Sequence, residues 1–533
     1  MQGTPLEKHA PWKLARLQPS HQPVCKPAKM LDVFPGLVFP HKLTKTWYTG
    51  CQHNSEVSMH NRYLRSTEPL QRNKISQSRL AQAKNEFFVE MKKHFQKPLT
   101  LNEFLEGKAG GLKRRYYDAV LRVYETGADF VSISTITAFI KKELFSEHKA
   151  PRSIMGRDPR FNLIYGLFTT AMEDAMMQMP QVTKGKTPQQ MGVLFHTMFG
   201  DNIGEGDCSK FEGSIRQFCL EWELDLAKFL LSDDECDIFH ACWLAKMRKK
   251  GHFLDGTKFE FWFCRGSGDM DTGLFNTMIN WILCRYFELE NKLGDRRFFV
   301  NGDDNMIDLP HTEGLIDTFS WFGFDCKFHV RRDYHDVEYC SGRFIQPSPG
   351  RFLYVPKLEK LLSFVFTIRN HQYEYCRGEY YATLGLMYQK MYAGIPVLDN
   401  LANLFLASSN QLKTRRFNRR IYEEAFGFKH MDIGEQIPID PVTALVEMAM
   451  VNGMNFRGIE DLMRQLDTTL LALGPDTDKR YRKRGTPFTV DTALVDSVEG
   501  MLRSAALEFH LAPPLNYVVP LIEFEDDDDE LAD

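Results

Sequence analysis

"FFVNGDDNMIDL", residues Phe298 to Leu309, sets two adjacent carboxylates between two short apolar runs. Both flanks are rich in strand-forming residues, and Asn301-Gly302 is a hairpin turn signal. The stretch predicts a β-hairpin over Arg297 to Leu309 with Asp303 and Asp304 at its tip. Taken alone, an Asp there is an ordinary turn residue. A catalytic reading needs a further carboxylate from another strand at the same point. Two-metal phosphoryl transfer holds its ions roughly 3.5–4 Å apart to clamp the attacking and leaving oxygens.

Upstream, "GDCSKFEG" supplies such a partner. It puts Asp207 at the end of a predicted strand over 203–207 and Glu212 five residues later, past a turn. The plain alternative for Asp207 is a helix cap or turn acid. A helix is expected from Ile215 to Leu231, where apolar residues recur at helical spacing. Between these segments lies "RGSGDMDTGLFNTMIN", Arg265 to Asn280. Gly266-Ser267-Gly268 is a loop whose backbone can approach a ligand closely. It leads into a predicted helix, Asp271 to Glu290, with Thr272, Asn276 and Asn280 at i, i+4 and i+8. A polar stripe on an apolar helix is either a satisfied core network or a face for a ribose and its hydroxyls.

The chain has 533 residues, 43% hydrophobic and 26% charged, enough for a large core and several subdomains. Its formal net charge is −4, but the tail "EFEDDDDELAD" carries eight acids, so residues 1–522 sum to +4. That tail is expected to be solvated and disordered. Eleven cysteines with no C-x-x-C pair argue against a zinc site and for reduced thiols. The longest apolar run, "LLSFVFTI", is too short to span a membrane, and the first twenty residues lack an apolar signal core. Residues 1–60, rich in Pro, Lys and His, read as an extended arm. After about Lys357 the chain reads as mostly helical, with two basic clusters, "KTRRFNRR" (Lys413 to Arg420) and "KRYRKR" (Lys479 to Arg484). Each interleaves an aromatic with cations, which suits a nucleic-acid backbone; the alternative is a solvated loop or a localisation signal. The strand–helix–helix–hairpin order suggests an α+β core.

Three patterns therefore occur in order: D-x4-E in "DCSKFE", S-G-x3-T-x3-N in "SGDMDTGLFN", and "GDD". Ser267 follows Asp207 by 60 residues, and Asp303 follows Ser267 by 36. This series resembles motifs A, B and C of viral RNA-dependent RNA polymerases. "SGDMDT" and "GDDN" are most similar to the tombusvirus-like group of positive-strand viruses, with nodaviruses related. "KKE" and "APRSI" (Lys141 to Glu143, Ala150 to Ile154) resemble the basic finger motif F, "FGFDCKF" motif D, and "EYCSGRF" motif E, the primer grip. The resemblance runs from about Lys141 to Phe344.

It implies template-directed RNA synthesis by two-metal nucleotidyl transfer, with Asp207, Asp303 and Asp304 holding Mg²⁺, or Mn²⁺ in its place. Glu212, Ser267, Thr272 and Asn276 would read the sugar of the nucleoside triphosphate, although Glu212 stands where the family usually has Asp. Lys141 and Arg152 would hold the triphosphate, and Lys327 would protonate the pyrophosphate leaving group. Cys340 and Ser341 would lie in the primer grip; beyond the resemblance, the composition of the first basic cluster alone suggests Arg415, Arg416, Arg419 and Arg420 as RNA-binding residues.

The fold implied is a right hand whose palm is an antiparallel sheet flanked by helices. Its parts are an arm over 1–60, fingers over 61–200 with an insertion at 213–265, a palm over 201–212 and 266–350, a thumb over 351–510 and a tail over 511–533. The arm would bridge fingers and thumb. Partners would be RNA template, nascent RNA and a viral or host membrane anchor, in host cytoplasm at membrane-associated replication complexes. A reverse transcriptase shares the palm but needs a bulky residue against the 2′-OH, where this chain has an acid and Asn276. A catalytically dead RNA-binding scaffold would not need all three Asp residues.

Overall fold

The helix expected after the Gly-Ser-Gly loop spans Thr272–Asn291 and is buried on every side from Leu274 to Glu288. An all-round apolar helix belongs in a core, and this one is its axis. Trp281 meets Phe87 and Phe298 edge-on, at 5.3 and 5.4 Å between ring centroids. Truncating so large a buried ring would cost about 3–5 kcal/mol. The structure, a computed structural model, describes residues 13–15, 31–32, 48, 50–64, 70–108, 110–141, 143, 149–294, 296–368, 373, 376–410, 421, 436–473 and 490–511.

In chain order the strands begin with β1 (Lys13–Ala15), β2 (Leu31–Asp32), β3 (Ile136–Ile140), β4 (Ser153–Arg157), β5 (Ile203–Ser209), β6 (Arg248–Phe253) and β7 (Lys258–Trp262). They continue with β8 (Phe298–Asn301), β9 (Asp304–Asp308), β10 (Asp325–Arg331), β11 (Gly342–Ser348), β12 (Arg351–Pro356) and β13 (Thr367–Ile368). A four-stranded sheet in the order β10-β5-β9-β8 is antiparallel throughout. The β8 edge is covered by the 181–183 segment, with Val182 bridged to Val300. A five-stranded sheet in the order β1-β7-β6-β3-β4 is antiparallel except for the β3–β6 pair. Helices and antiparallel sheets together make the α+β architecture read from the sequence.

The N-terminal segments β1 and β2 pair with β7 and β13 respectively. Between β13 and residue 473 the described residues are mostly helical and build a second core, in which Leu384, Met387, Phe405 and Met448 are fully or nearly fully buried. The stretch 351–510 does not pack as one body. At its start, β12 forms a hairpin with β11. At its end, the helix Thr492–Leu511 sends Val495 and Val498 into the first core. There Leu101 N donates to Glu499 Oε2 at 3.1 Å and Asn102 Nδ2 to Asp496 Oδ1 at 2.9 Å.

One expectation is corrected. Cys208 and Cys326 form a disulfide, with Cα atoms 4.0 Å apart. The register of β5 on β10 sets them directly opposite each other. Their separation of 118 residues hides this pairing from the sequence. Among the described residues no helix is long and apolar enough to cross a membrane. Both basic clusters, including Arg415, Arg416, Arg419 and Arg420, and the acidic tail lie outside the described residues.

Candidate active site

The hairpin of the opening is present. Asn301 pairs with Asp304, leaving Gly302 and Asp303 as the turn. Gly302 has φ +63°, a conformation that favours glycine. The central helix holds this turn from behind. Thr277 Oγ1 accepts from Gly302 N at 2.8 Å, and Asn280 Nδ2 donates to the carbonyls of Gly302 and Asp304, each at 3.1 Å. Asn305 Nδ2 donates to Asn280 Oδ1 at 3.0 Å. Of the two readings of the polar stripe, Asn280 therefore satisfies the core-network one: it fixes where the hairpin carboxylates stand.

Asp207 follows the last β5–β9 pair, Gly206 with Asn305, so it lies at the Asp304 end of that ladder. Its β10 partner is Lys327, placed on the same face by the register. Asp303 is pushed up to about 6, first by burial, then by the charges of Glu212 and Asp304. Asp304 is also raised, first by burial and also by Asp207, against a hydrogen bond from Cys340. Both residues are exposed at the hairpin tip, yet the protein around their carboxyls displaces enough water to disfavour the charged form.

Cys340 Sγ donates to Asp304 Oδ2 at 3.3 Å. Cys340 and Ser341 have φ of +48° and +63°, a strained pair worth about 1–3 kcal/mol each. Tyr354 Oη secures the turn by donating to the carbonyls of Tyr339 and Cys340, at 2.9 and 3.1 Å. Lys360 Nζ donates to Ser341 Oγ at 2.6 Å.

The Arg265–Asp271 loop is anchored from both ends. Thr272 Oγ1 donates to Gly266 O at 3.0 Å. Ser267 O accepts from Met155 N at 2.7 Å, joining the loop to β4. Arg265 is 1% exposed. Its Nε donates to Asn276 Oδ1 at 3.2 Å, and its backbone N–H to Glu212 O at 3.0 Å. With the Asn276 oxygen taken, its amide N–H groups are the ones left for another acceptor. The Arg265 guanidinium also pairs with Glu223 and with Asp271 (3.1 Å to the latter), while Lys246 reaches Asp271, Glu223 at 2.6 Å and Tyr165 Oη at 2.9 Å. Burial pushes Asp271 up, but Lys246 and Arg265 overcome it and hold the carboxyl well below its usual range.

Lys141 and Arg152 flank the turn of β3 and β4, and both pair with Glu143, Lys141 at 3.1 Å. Glu143 holds Arg152 above its ordinary value, with smaller contributions from Glu212 and Asp303, so the guanidinium feels the cleft carboxylates.

Among the described residues, no three His, Cys, Asp or Glu side chains close into a metal cage. The donor set still fits Mg²⁺. It consists of hard carboxylate oxygens, those of Asp303 and Asp304 standing at the end of the ladder beside Asp207. Mg²⁺ is held by one or two carboxylates with substrate phosphates and water, rather than by a dedicated cage.

The sequence reading missed Asn280 and Thr277 as holders of the hairpin, and the network of Arg265, Glu223, Lys246 and Asp271. Arg265 and Asp271 stand inside a recognised motif, but nothing local marks Glu223 or Lys246 on their helices. It also missed Arg62 and Tyr63, on a π-helical turn over His60–Leu64.

The site is thus a hairpin-borne Asp pair beside a strand-end Asp in an antiparallel sheet, with a glycine loop entering a core helix. The model of the viral RNA-dependent RNA polymerase family matches residues 35–460, and the chain belongs to that family. The RNA-directed RNA polymerase of tobacco necrosis virus (strain D) is 27% identical over 342 residues, covering 58% of this chain and 46% of that one. That of pothos latent virus (isolate Pigeonpea/India) is 25% identical over 283 residues, covering 47% and 37%. That of Pariacoto virus is 25% identical over 224 residues, covering 39% and 23%. Such relatives fit the tombusvirus-like and nodavirus-related resemblance. The chain aligns with less than half the length of each of these proteins.

Proposed function

We propose that this chain catalyses template-directed RNA synthesis, adding nucleoside monophosphates to an RNA 3′ end and releasing pyrophosphate. The observation that carries the reading is the grip of Thr277 and Asn280 on the Gly302-Asp303 turn. It sets Asp303 and Asp304 beside the end of the strand that carries Asp207. In this reading Asp207, Asp303 and Asp304 hold Mg²⁺, or Mn²⁺ in its place. Divalent ions held there would supply positive charge to stabilise the negative charge that develops as the phosphoryl group is transferred.

The chain's own groups do the rest. Arg152 and Lys141 orient the triphosphate and neutralise charge that develops on it. Asn276 and Glu212 read the sugar, since a 2′-OH both donates and accepts. Ser267 and Thr272 shape the loop that carries this reading. Lys327, across the ladder from Asp207, gives its proton to the departing pyrophosphate. Cys340 holds Asp304, and with Ser341 borders the primer end.

The four-stranded sheet would be the palm of a right hand, the five-stranded sheet and its helices the fingers, and the second core the thumb. The pairing of β1 and β2 on β7 and β13 supports an arm that ties fingers to thumb. RNA template and nascent strand would lie across the cleft, with Arg415, Arg416, Arg419 and Arg420 on the RNA backbone. A viral or host partner would recruit the chain to membrane-associated replication complexes in host cytoplasm. The test is nucleotide incorporation by purified protein with RNA template, Mg²⁺ and four nucleotides. Template-dependent product of defined length is expected; none under any primer or metal condition overturns the reading.

A further inference from the structure

Arg62 lies 145 residues before Asp207 and belongs to none of the motifs, yet it reaches the sugar-reading carboxylate. Its Nη1 donates to Glu212 Oε2 at 2.6 Å, and both side chains are 13% exposed. Among the described residues Glu212 Oε1 takes no hydrogen bond. The contact is built into the backbone on both sides. Gly213 lies so close that a Cβ there would stand 2.0 Å from the Arg62 carbonyl oxygen, so any other residue would push the two segments apart. Next to Arg62, Tyr63 is 6% exposed, and its hydroxyl accepts from Ser267 N at 3.1 Å. One dipeptide thus touches the loop after Asp207 and the loop before the central helix. It sits on a π-helical turn, a form frequent at functional sites.

We infer that Arg62 is a specificity-determining positioning residue for the incoming nucleotide. It pins one oxygen of Glu212 and leaves the other to accept the sugar's 2′-hydroxyl proton. The inference rests on the assignment of Glu212 as a sugar reader, and it explains how a Glu serves where the family usually has Asp. A Glu side chain has one more rotatable bond than Asp, and an unpaired one would sample orientations in which neither oxygen meets the sugar. The guanidinium supplies the missing constraint as a charged donor held 2.6 Å from that oxygen.

The test measures equilibrium binding of a ribonucleoside triphosphate and its 2′-deoxy analogue to the full chain, with Mg²⁺ and a primed RNA template. The same pair is then compared by kcat/KM in single incorporation. Arg62→Ala should lower the ribo/deoxy ratio roughly tenfold, the scale of one lost hydrogen bond. Arg62→Lys, which keeps a charged donor, should recover most of the ratio. Glu212→Gln should lower the ratio alone, and adding Arg62→Ala to it should lower it little further. A ratio unchanged in Arg62→Ala, with melting temperature also unchanged, overturns the inference. So does an equal loss for ribo and deoxy substrates, which would mean that Arg62 only supports the fold or the triphosphate. If the parent chain binds nucleotides with ribo preference but incorporates none, the polymerase reading fails. The binding ratios then still decide the role of Arg62.

Discussion

Glu223 and Asp271 are fully buried and share two cations, Lys246 and Arg265. Asp303, Asp304 and Glu212 crowd together, and among the described residues the cation paired with them is Arg62, on Glu212. In the first cluster the counter-charges hold Asp271 ionised well below the usual carboxylate range. In the second, burial and mutual repulsion raise Asp303 to about 6. The same residue type is thus locked in one place and left unbalanced in the other. A balanced network keeps a loop in one shape, whereas an unbalanced one leaves negative charge that a cation can offset. The two clusters meet at Arg265, which belongs to the buried network and touches both Asn276 and Glu212.

The sharpest way to separate the clusters is Asp303→Ala. Removing a carboxylate from the unbalanced site should reduce incorporation by roughly a thousandfold or more, because a metal and the alignment of the attacking oxygen are lost together. The melting temperature without metal should not fall. Near-normal synthesis by this variant would remove Asp303 from the chemistry.

Asp271→Ala should do the reverse. It leaves Lys246 and Arg265 short of a counter-charge in a buried site, which should destabilise the fold by about 3–5 kcal/mol in denaturant titration. A loss under 1 kcal/mol would show that the network is not what holds the loop.

Asn280→Ala touches both regions more gently. Leaving the Gly302 and Asp304 carbonyls without their donor should cost about 1–3 kcal/mol. It should lower kcat more than it raises KM, because the hairpin moves while the nucleotide pocket does not. A pure KM effect would instead assign Asn280 to the sugar, as the stripe on the sequence suggested.

The smallest effect is the pH dependence of stability without metal, and its sign differs between the clusters. Asp303 has its folded pKa raised, so between about pH 4 and 6 the folded state holds a proton that the unfolded state releases. Its contribution falls as pH rises through that window and is level above it. Asp271 has its folded pKa lowered, so its contribution is present above pH 4 and is lost as pH falls. Asp303→Asn should therefore be more stable than the parent above pH 6, with the gap closing towards pH 4. A gap that widens on acidification would reverse the assignment.

The hairpin was legible because its information is local. Asn-Gly between strand-forming runs specifies a turn, and adjacent Asp residues after it must lie at the tip. The central helix was equally plain, as an apolar segment of helical period after a glycine loop. The stripe of Thr272, Asn276 and Asn280 was visible too, but its use was not. Whether an Asn faces a ligand or a carbonyl depends on what lies opposite, and for Asn280 that is a turn more than twenty residues away. The C-terminal helices were expected as helices, yet the helix Thr492–Leu511 packs on Leu101–Glu106 rather than with its neighbours in sequence.

By itself, then, the sequence determined the α+β class, the three ordered motifs and the family they resemble, because each is written in short spacings. Only the tertiary structure decided the Cys208–Cys326 pair, the network around Arg265 and the reach of Arg62 to Glu212. These are contacts between segments up to 150 residues apart. No periodicity records them, since they arise from sheet register and from the close approach of two backbones at Gly213.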